Sequence, residues 1–446
     1  MSEIKEGLLT PTDAVAPDLS YARLAVDSIP AMLGISMEVI IMTVNLHYAQ
    51  GSVMTAGLGL SMVLIHSLGG SLILGFNSGY SNFASRSFGA NNHRLFNKYL
   101  IKGLVSLALL LILFTILGFG SEWLALVCGQ DPLVARYARQ FYVYQLPGFF
   151  CMFTADLLRV YLNAQSIFEP INYVNGLTIA LHFFLSFFIS RNYGMTGIII
   201  STNLTFLSQL GMTFYVERRH STWKLTTEEF QEKSWQESYE AYVKECFYMA
   251  FPLVMDLFMF ELIALFVGSF KIIEQTAAHV AFSNIAMLFA GTMLGFSCTS
   301  MVKGSQLVGQ NDSKRFREIA WRTLLLNLAA IYFLYLVVWL SQDTFFSYYT
   351  DDPKVMYHLK SCLVPYFVMN VFDAFQFVSS QMYKALQMGS WVCQVFFLSY
   401  YVCGGGAMLI LNMYLDSKIL CAWWAFTVGL FASACFYVYR YYGLDL

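Results

Sequence analysis

The sequence predicts an all-α membrane protein: twelve transmembrane helices in two six-helix bundles, related as a parallel repeat around a central cleft. Three observations carry this. The 446 residues are 57% hydrophobic and only 12% charged, whereas soluble domains run near 25% charged. The apolar residues fall into twelve runs, each near the ~20 residues a helix needs to cross hydrocarbon. A pattern in the first half returns in the second at an offset of 220.

A chain this apolar cannot clothe itself in polar groups and needs lipid as solvent. Aromatic residues reach 17%, with 28 Tyr and 40 Phe, which suits lipid-facing surface, interfacial belts and stacking walls. The net charge of −2 excludes nucleic acid as a partner. Nine cysteines are scattered, and Cys298, Cys393, Cys421 and Cys435 sit in apolar runs; they read as small buried hydrophobes. The sequence has no CxxC, HExxH or GxxxxGK[ST], so no metal, cofactor or nucleotide-driven transport is expected. No extramembrane stretch is long enough to house a catalytic site, and the chain reads as a non-enzyme. The first 25 residues are polar and acidic, with Pro11 and Pro17. They lack the features of a cleavable signal, so the first span is the expected insertion signal.

The candidate spans are 28–48, 54–76, 99–119, 140–163, 170–190, 194–216, 247–268, 278–302, 319–341, 362–386, 390–412 and 419–440. An even number puts both termini on one side. With that side cytoplasmic, the outer loops hold only Arg136, Arg139, Arg191, Lys271, Lys354, Lys360 and Lys418. Every other Lys and Arg lies inside, except the mid-span Arg159, as the positive-inside rule requires. Residues 1–27 are then a cytoplasmic tail, 28–216 the first bundle, 217–245 a cytoplasmic linker and 246–441 the second bundle. The linker carries 12 charged residues. Trp235, Tyr239, Tyr242 and Val243 are spaced to give it an amphipathic helix. The outer loops offer no Asn-x-Ser/Thr acceptor, which is compatible with the plasma membrane and with vacuolar or other organellar membranes.

The repeat is explicit. Gly75/Gly295, Phe76/Phe296, Ser85/Ser305, Gly89/Gly309, Asn91/Asn311 and Phe96/Phe316 match at one offset. Each block closes the second span of its half and enters a basic loop. Asp131-Pro132 before span four returns as Asp352-Pro353 before span ten, and Tyr161 with Gln165 returns as Tyr383 with Gln387. Halves of six spans share one orientation, which is a parallel repeat about an axis along the membrane normal.

These residues resemble the multidrug and toxic compound extrusion (MATE) transporters. The stretch Gly75–Lys98, with Ser87-Phe88-Gly89-Ala90-Asn91 at its core, looks like the end of that family's second helix. Gly129-Gln130-Asp131-Pro132, then Ala138 and Leu146-Pro147, is similar to its third loop and fourth helix. Tyr161-Leu162-Asn163-Ala164-Gln165 with Pro170 resembles its Tyr-Leu-Gln-x-Gln signature. Gly295-Phe296-Ser297 through Met301-Val302-Lys303-Gly304 resembles its eighth helix. The resemblance runs in order from about residue 30 to 440. It implies proton- or sodium-driven efflux of organic, often cationic, compounds, with coupling acids in the C-terminal half. Asp256 and Glu261 match the two acids five apart on its seventh helix, Asp replacing the first Glu. Asp373, in Phe372-Asp373-Ala374, matches the acid of its tenth. The departures are Arg86 in place of a Gln, and Ser283 and Asn284 where some animal members carry an eighth-helix Glu.

The acids also stand out without the resemblance. A mid-span acid costs about 2.5–3.5 kcal/mol on insertion scales, so it faces a cavity or a partner. Glu38, Asp156, Asp256, Glu261 and Asp373 are such residues. Asp256 and Glu261 lie about 140° apart around a helix, so both border one cleft only if it wraps the helix or Pro252 bends it. A carboxylate taken out of water binds a proton more readily. An arriving cation expels that proton, which is antiport through one shared site. Asp156 and Arg159, three apart, pair on one face; with Glu38 they form a candidate site in the first half. His47, His66 and His182 read as satisfied buried histidines, and Lys384 as a snorkelling residue at the inner end of span ten. Tyr161, Phe260 and Tyr383 are candidate walls of a substrate cavity, since ring faces attract cations.

The sequence is therefore read as a monomeric secondary active antiporter for multidrug or xenobiotic efflux. It would export small organic solutes, cationic or amphipathic, in exchange for protons or sodium, by alternating access through the bilayer. Two alternatives stand beside this. A lipid-linked oligosaccharide flippase of the same superfamily would place bases in the cavity, where Arg159 is nearly alone. A degenerate transporter fold kept as a structural subunit would fit Arg86 and Ser283.

Overall fold

A computed structural model describes residues 17–223, 239–347 and 349–443. Every element among them is helical. Residues 224–238, with Trp235, and the first sixteen lie outside the described residues, as does the side chain of Asn284. Contacts divide the chain into two units. The first takes in Ile29–Ala250, and the second Asp18–Ser28 with Phe251–Leu446.

The first unit is built from α1 (Tyr21–His47), α2 (Ser52–Ile65), α3 (Ser71–Gly89), α4 (His93–Phe119), α5 (Ser121–Val127), α6 (Pro132–Ala164), α7 (Glu169–Leu185), α8 (Arg191–His220) and the start of α9 (Tyr239–Ser269). A π-helical segment, His66–Gly70, joins α2 to α3, with Gly69 at φ 132°. A second, Ser186–Ser190, joins α7 to α8. The core is aromatic. Phe114 packs tilted against Tyr142 at 4.9 Å and meets Phe153 edge-on, and the Tyr142 hydroxyl donates to the Phe114 carbonyl at 3.2 Å. Leu109, Ile112, Leu113 and Ile116 form an exposed apolar row on α4, the surface a lipid-facing helix presents.

The second unit holds the rest of α9, then α10 (Ile273–Gly309), α11 (Ser313–Leu340), α12 (Gln342–Ser347), α13 (Pro353–Ser361), α14 (Leu363–Ala385), α15 (Gly389–Phe396), α16 (Gly405–Leu411) and α17 (Lys418–Tyr441). The π-helical segment Phe397–Gly404 joins α15 to α16. Its core is a ring cluster in which Phe282, Tyr366 and Trp423 contact one another at 5.0–5.6 Å.

Among the described residues ten helices are long and apolar enough to cross a membrane, against twelve expected. The difference has two sources. Spans five and six run as one stretch, Glu169–His220, broken within by Gly194 at φ 54°. Span four lies in α6, which is 33 residues long but carries Arg136, Arg139, Asp156 and Arg159 and is the less apolar for it.

The repeated residues are turn chemistry. Asn91 and Asn311, at φ 52° and 57°, end α3 and α10 in the left-handed conformation, which Asn tolerates well. The next residues, Asn92 and Asp312, cap α4 and α11 by accepting from Leu95 N and Arg315 N. Asp131 and Asp352 cap α6 and α13, each accepting at 2.8 Å from the amide two residues on. The motif blocks themselves are helix. α3 and α10 continue to Gly89 and Gly309, past the expected span ends at 76 and 302, because both faces of these ends are buried.

The expected linker is also partly helical. Residues 217–220 end α8, and Tyr239, Tyr242 and Val243 belong to the first turns of α9. Small residues let those turns pack closely in the first unit. A β-carbon at Gly75 would stand 2.5 Å from Cα and Cβ of Ala250, and one at Gly79 2.8 Å from Sγ of Cys246. The pair is a Gly-xxx-Gly face against a small-residue face. Gly75→Val is therefore expected to destabilise the protein by about 1–3 kcal/mol through overpacking. Thermal unfolding in detergent, followed by intrinsic fluorescence, would show the lowered midpoint.

Candidate functional site

The second unit gathers two of its three expected acids. Asp256 lies on α9 one turn beyond Pro252, and Asp373 lies buried in the middle of α14. Tyr400, in the π segment, donates its hydroxyl to Asp256 Oδ1 at 3.0 Å. The Gln376 amide donates in turn to Tyr400. The adjacent Tyr401 donates to the Met255 carbonyl at 2.8 Å, so two successive tyrosines hold α9 beside its proline. Asp256 and Asp373 lie within electrostatic reach of each other, and Asp373 within reach of Tyr366. Asp373 makes no hydrogen bond or ion pair with a described residue.

Lys384 is a correction. Expected to snorkel, it is buried at the end of α14 within electrostatic reach of Asp256. It shares the buried face of α14 with Asp373, eleven residues or three turns earlier. Glu261 goes the other way. It is exposed on α9 and makes no hydrogen bond or ion pair with a described residue; five residues of helical rotation carry it off the face that bears Asp256.

The three candidate cavity aromatics are engaged in packing. Phe260 meets Phe426 edge-on at 5.4 Å inside the ring cluster. Tyr383 stacks on Tyr437 at 5.3 Å and donates to its carbonyl at 2.8 Å. Tyr161 is buried against Phe96 and donates to the Trp223 carbonyl. Nearby, Gln165 Oε1 accepts from the amides of Thr222 and Trp223, both at 3.0 Å. The Tyr-x-x-x-Gln pattern of span four is thus a strap on the chain leaving α8. Tyr161→Phe is expected to cost about 1 kcal/mol, the net worth of one hydrogen bond. A thermal melt would read the loss, with solute binding unchanged.

The first unit keeps its candidate acids in two separate places. Asp156 pairs with Arg159, whose Nε stands 3.1 Å from Oδ1, and Asn77 donates to Oδ2 at 2.7 Å. Glu38 lies instead beside His66, Oε1 to Nε2 at 3.7 Å, both partly exposed. His66 is therefore not a buried core histidine as expected. His182 is one, 2.9 Å from Thr205 and 3.3 Å from Ser186.

Sequence reading misplaced Lys384 and missed Tyr400 and Gln376. The spacing of Tyr366, Asn370, Asp373 and Gln376 on α14 was legible as one polar helix face. Tyr400 carried no signal among 28 tyrosines.

A family model described as MatE matches residues 29–188 and 249–405. The chain is 20% identical over 401 residues to Multidrug and toxin extrusion protein 1 of Danio rerio, covering 89% of this chain and 67% of that protein. It is 28% identical over 184 residues to Protein DETOXIFICATION 48 of Arabidopsis thaliana, covering 39% of this chain. That match spans only 34% of the plant protein's length. In fold, the chain is similar to the crystal structure of the eukaryotic MATE transporter AtDTX14, with a TM-score of 0.84, 17% identity and coverage of 96% and 95%. It is similar to an outward-facing multidrug resistance MATE family transporter of the MOP superfamily, with a TM-score of 0.84, 16% identity and 98% coverage of both chains.

Proposed function

The chain belongs to the MatE family, and from that premise we propose that it is a secondary active antiporter. It exports small organic solutes, cationic or amphipathic, in exchange for protons, by alternating access. The observation that carries this reading is the pair Asp256 and Asp373, held together inside one unit with Tyr400 on one member. A transporter that must bind a cation from one side and release it to the other needs an intramembrane acid that can hold it, and Asp373, buried with no ion pair to a described residue, fits that need. The excess of Lys and Arg in alternate loops supports cytoplasmic termini. The multidrug and toxin extrusion relatives support organic solutes as the substrate class.

The test is accumulation of the dye cation ethidium in proteoliposomes. An acidic interior is expected to drive uptake as protons leave. Accumulation under a sodium gradient alone would replace the proton by sodium, and none under either gradient would overturn the antiporter reading. Glu261→Gln, which changes an exposed charge, is expected to lower the proton-driven rate by no more than a few-fold in the same assay.

A further inference from the structure

Tyr366, Asn370, Asp373, Gln376, Ser380 and Lys384 recur every three or four residues along α14 and are all at most 7% exposed. From first to last they span about 27 Å of helix, close to the ~30 Å of hydrocarbon a bilayer presents. Polar atoms in such a row are costly when unpaired, at roughly 1–3 kcal/mol each. Tyr366 Oη, Asn370 Oδ1 and Gln376 Oε1 nevertheless have no hydrogen-bond partner among the described residues. At the Tyr366 end the row extends onto neighbouring helices. Trp423 on α17 stands 5.6 Å from the Tyr366 ring and 5.9 Å from His279 on α10. Trp423 Nε1 and His279 Nδ1 are unpartnered too. His279 lies one turn inside the helix end where Gln275 accepts from the amides of Lys418 and Ile419 at 2.8 and 3.1 Å.

We propose that this row is the proton route of the second unit. Protons enter at the helix ends near Gln275, pass along His279, Tyr366 and Asn370 to Asp373, and are stopped at the far end by Lys384. The inference rests on the antiport reading and adds its path. Imidazole, phenol and amide each donate and accept, and single bridging waters link such groups at little cost. Carbon side chains there would have packed without penalty and conducted nothing. Lys384 supplies a positive charge, the kind of barrier that excludes protons from a polar pore. The charged groups at this end are mostly engaged elsewhere. Glu274 pairs with Lys354 at 3.3 Å, Lys418 is bound to the carbonyls of Asn412 and Leu415, and His358 sits on α13 toward Glu274. Asp373 is faced by Asp256, Tyr366 and Tyr400.

The experiment is a pH jump on the purified full chain in lipid nanodiscs, following the infrared carbonyl band of protonated Asp373, assigned by its loss in Asp373→Asn. Asn370→Leu is expected to slow the rise of that band about tenfold, one decade of rate, without moving its titration midpoint. Asn370→Ser is expected to restore it. His279→Phe, at the entrance, should slow it likewise and serves if Asn370→Leu does not fold. Lys384→Met should raise the passive proton leak of proteoliposomes without solute. Wild-type rates in both Asn370→Leu and His279→Phe would overturn the route while leaving the antiporter reading standing. A wild-type protein with no Asp373 band at any pH would overturn both.

Discussion

Asp373→Asn is expected to abolish proton-driven export. The substitution keeps the shape of the side chain and removes its charge, so an amide takes the place of the carboxyl proposed to bind and release the proton. Loss of a positioned proton-transfer group typically slows a reaction about 10²–10⁴-fold, and the ethidium rate should fall by at least the lower figure. The fold should survive, because Asp373 has no ion pair or hydrogen bond with a described residue to lose. Removing an unpaired buried charge relieves a desolvation cost, so the thermal midpoint should hold or rise. Asp256→Asn separates the two acids. Asp256 accepts from Tyr400 at 3.0 Å, and an Asn carbonyl can accept that bond, so the site stays assembled while its charge is halved. Its expected phenotype is weaker than that of Asp373→Asn. A variant lacking Asp373 that still concentrates ethidium within a few-fold of wild type would remove the acid pair from the mechanism.

The sequence made the architecture readable because lipid imposes long apolar runs and because the halves repeat their turns. Asn91 with Asn311 and Asp131 with Asp352 return for local reasons, a left-handed residue and a helix cap, which any single sequence displays. Asp256 and Asp373 were legible for a similar reason, since an acid in an apolar run is conspicuous. Lys384 was not, because a lysine near a span end looks the same whether it reaches water or turns inward; only the packing of α14 decides. Tyr161 and Tyr383 misled in the opposite direction. Their repeat marked them as special, but each hydroxyl serves a backbone carbonyl. Glu261 matched a family pattern, yet its rotation from Asp256 had already argued against a shared face. The limits of α1 and α9 were also hidden. Hydropathy sees a continuous helix and cannot tell that residues 18–28 pack with the second unit and 239–250 with the first.

That packing of residues 18–28 rests on a buried ion pair, and Lys303→Ala is expected to be strongly destabilising. Lys303 Nζ stands 2.7 Å from Asp27 Oδ2 and donates to the Asp18 carbonyl at 2.7 Å. The two side chains are 3% and 2% exposed. Arg23, on the exposed side, stands 3.0 Å from Asp27 Oδ1 as an ion pair without hydrogen-bond geometry. Thr299 adds a bond to the Asp27 carbonyl at 3.1 Å, and Arg322 one to Leu19 at 2.7 Å. Removing Lys303 strands a buried carboxylate whose remaining counter-ion is partly in solvent, and breaking such a pair costs about 3–5 kcal/mol. The desolvation penalty belongs to the orphaned charge and not to the bond, so removing both charges should cost far less than removing one. Asp27→Leu combined with Lys303→Met is therefore expected to melt closer to wild type than Lys303→Ala does. The two midpoints, measured side by side in detergent, decide it: a single variant as stable as wild type would mean that Arg23 alone neutralises Asp27, and a double variant as weak as the single would mean that the hydrogen bond to Asp18, not the charge, anchors the segment.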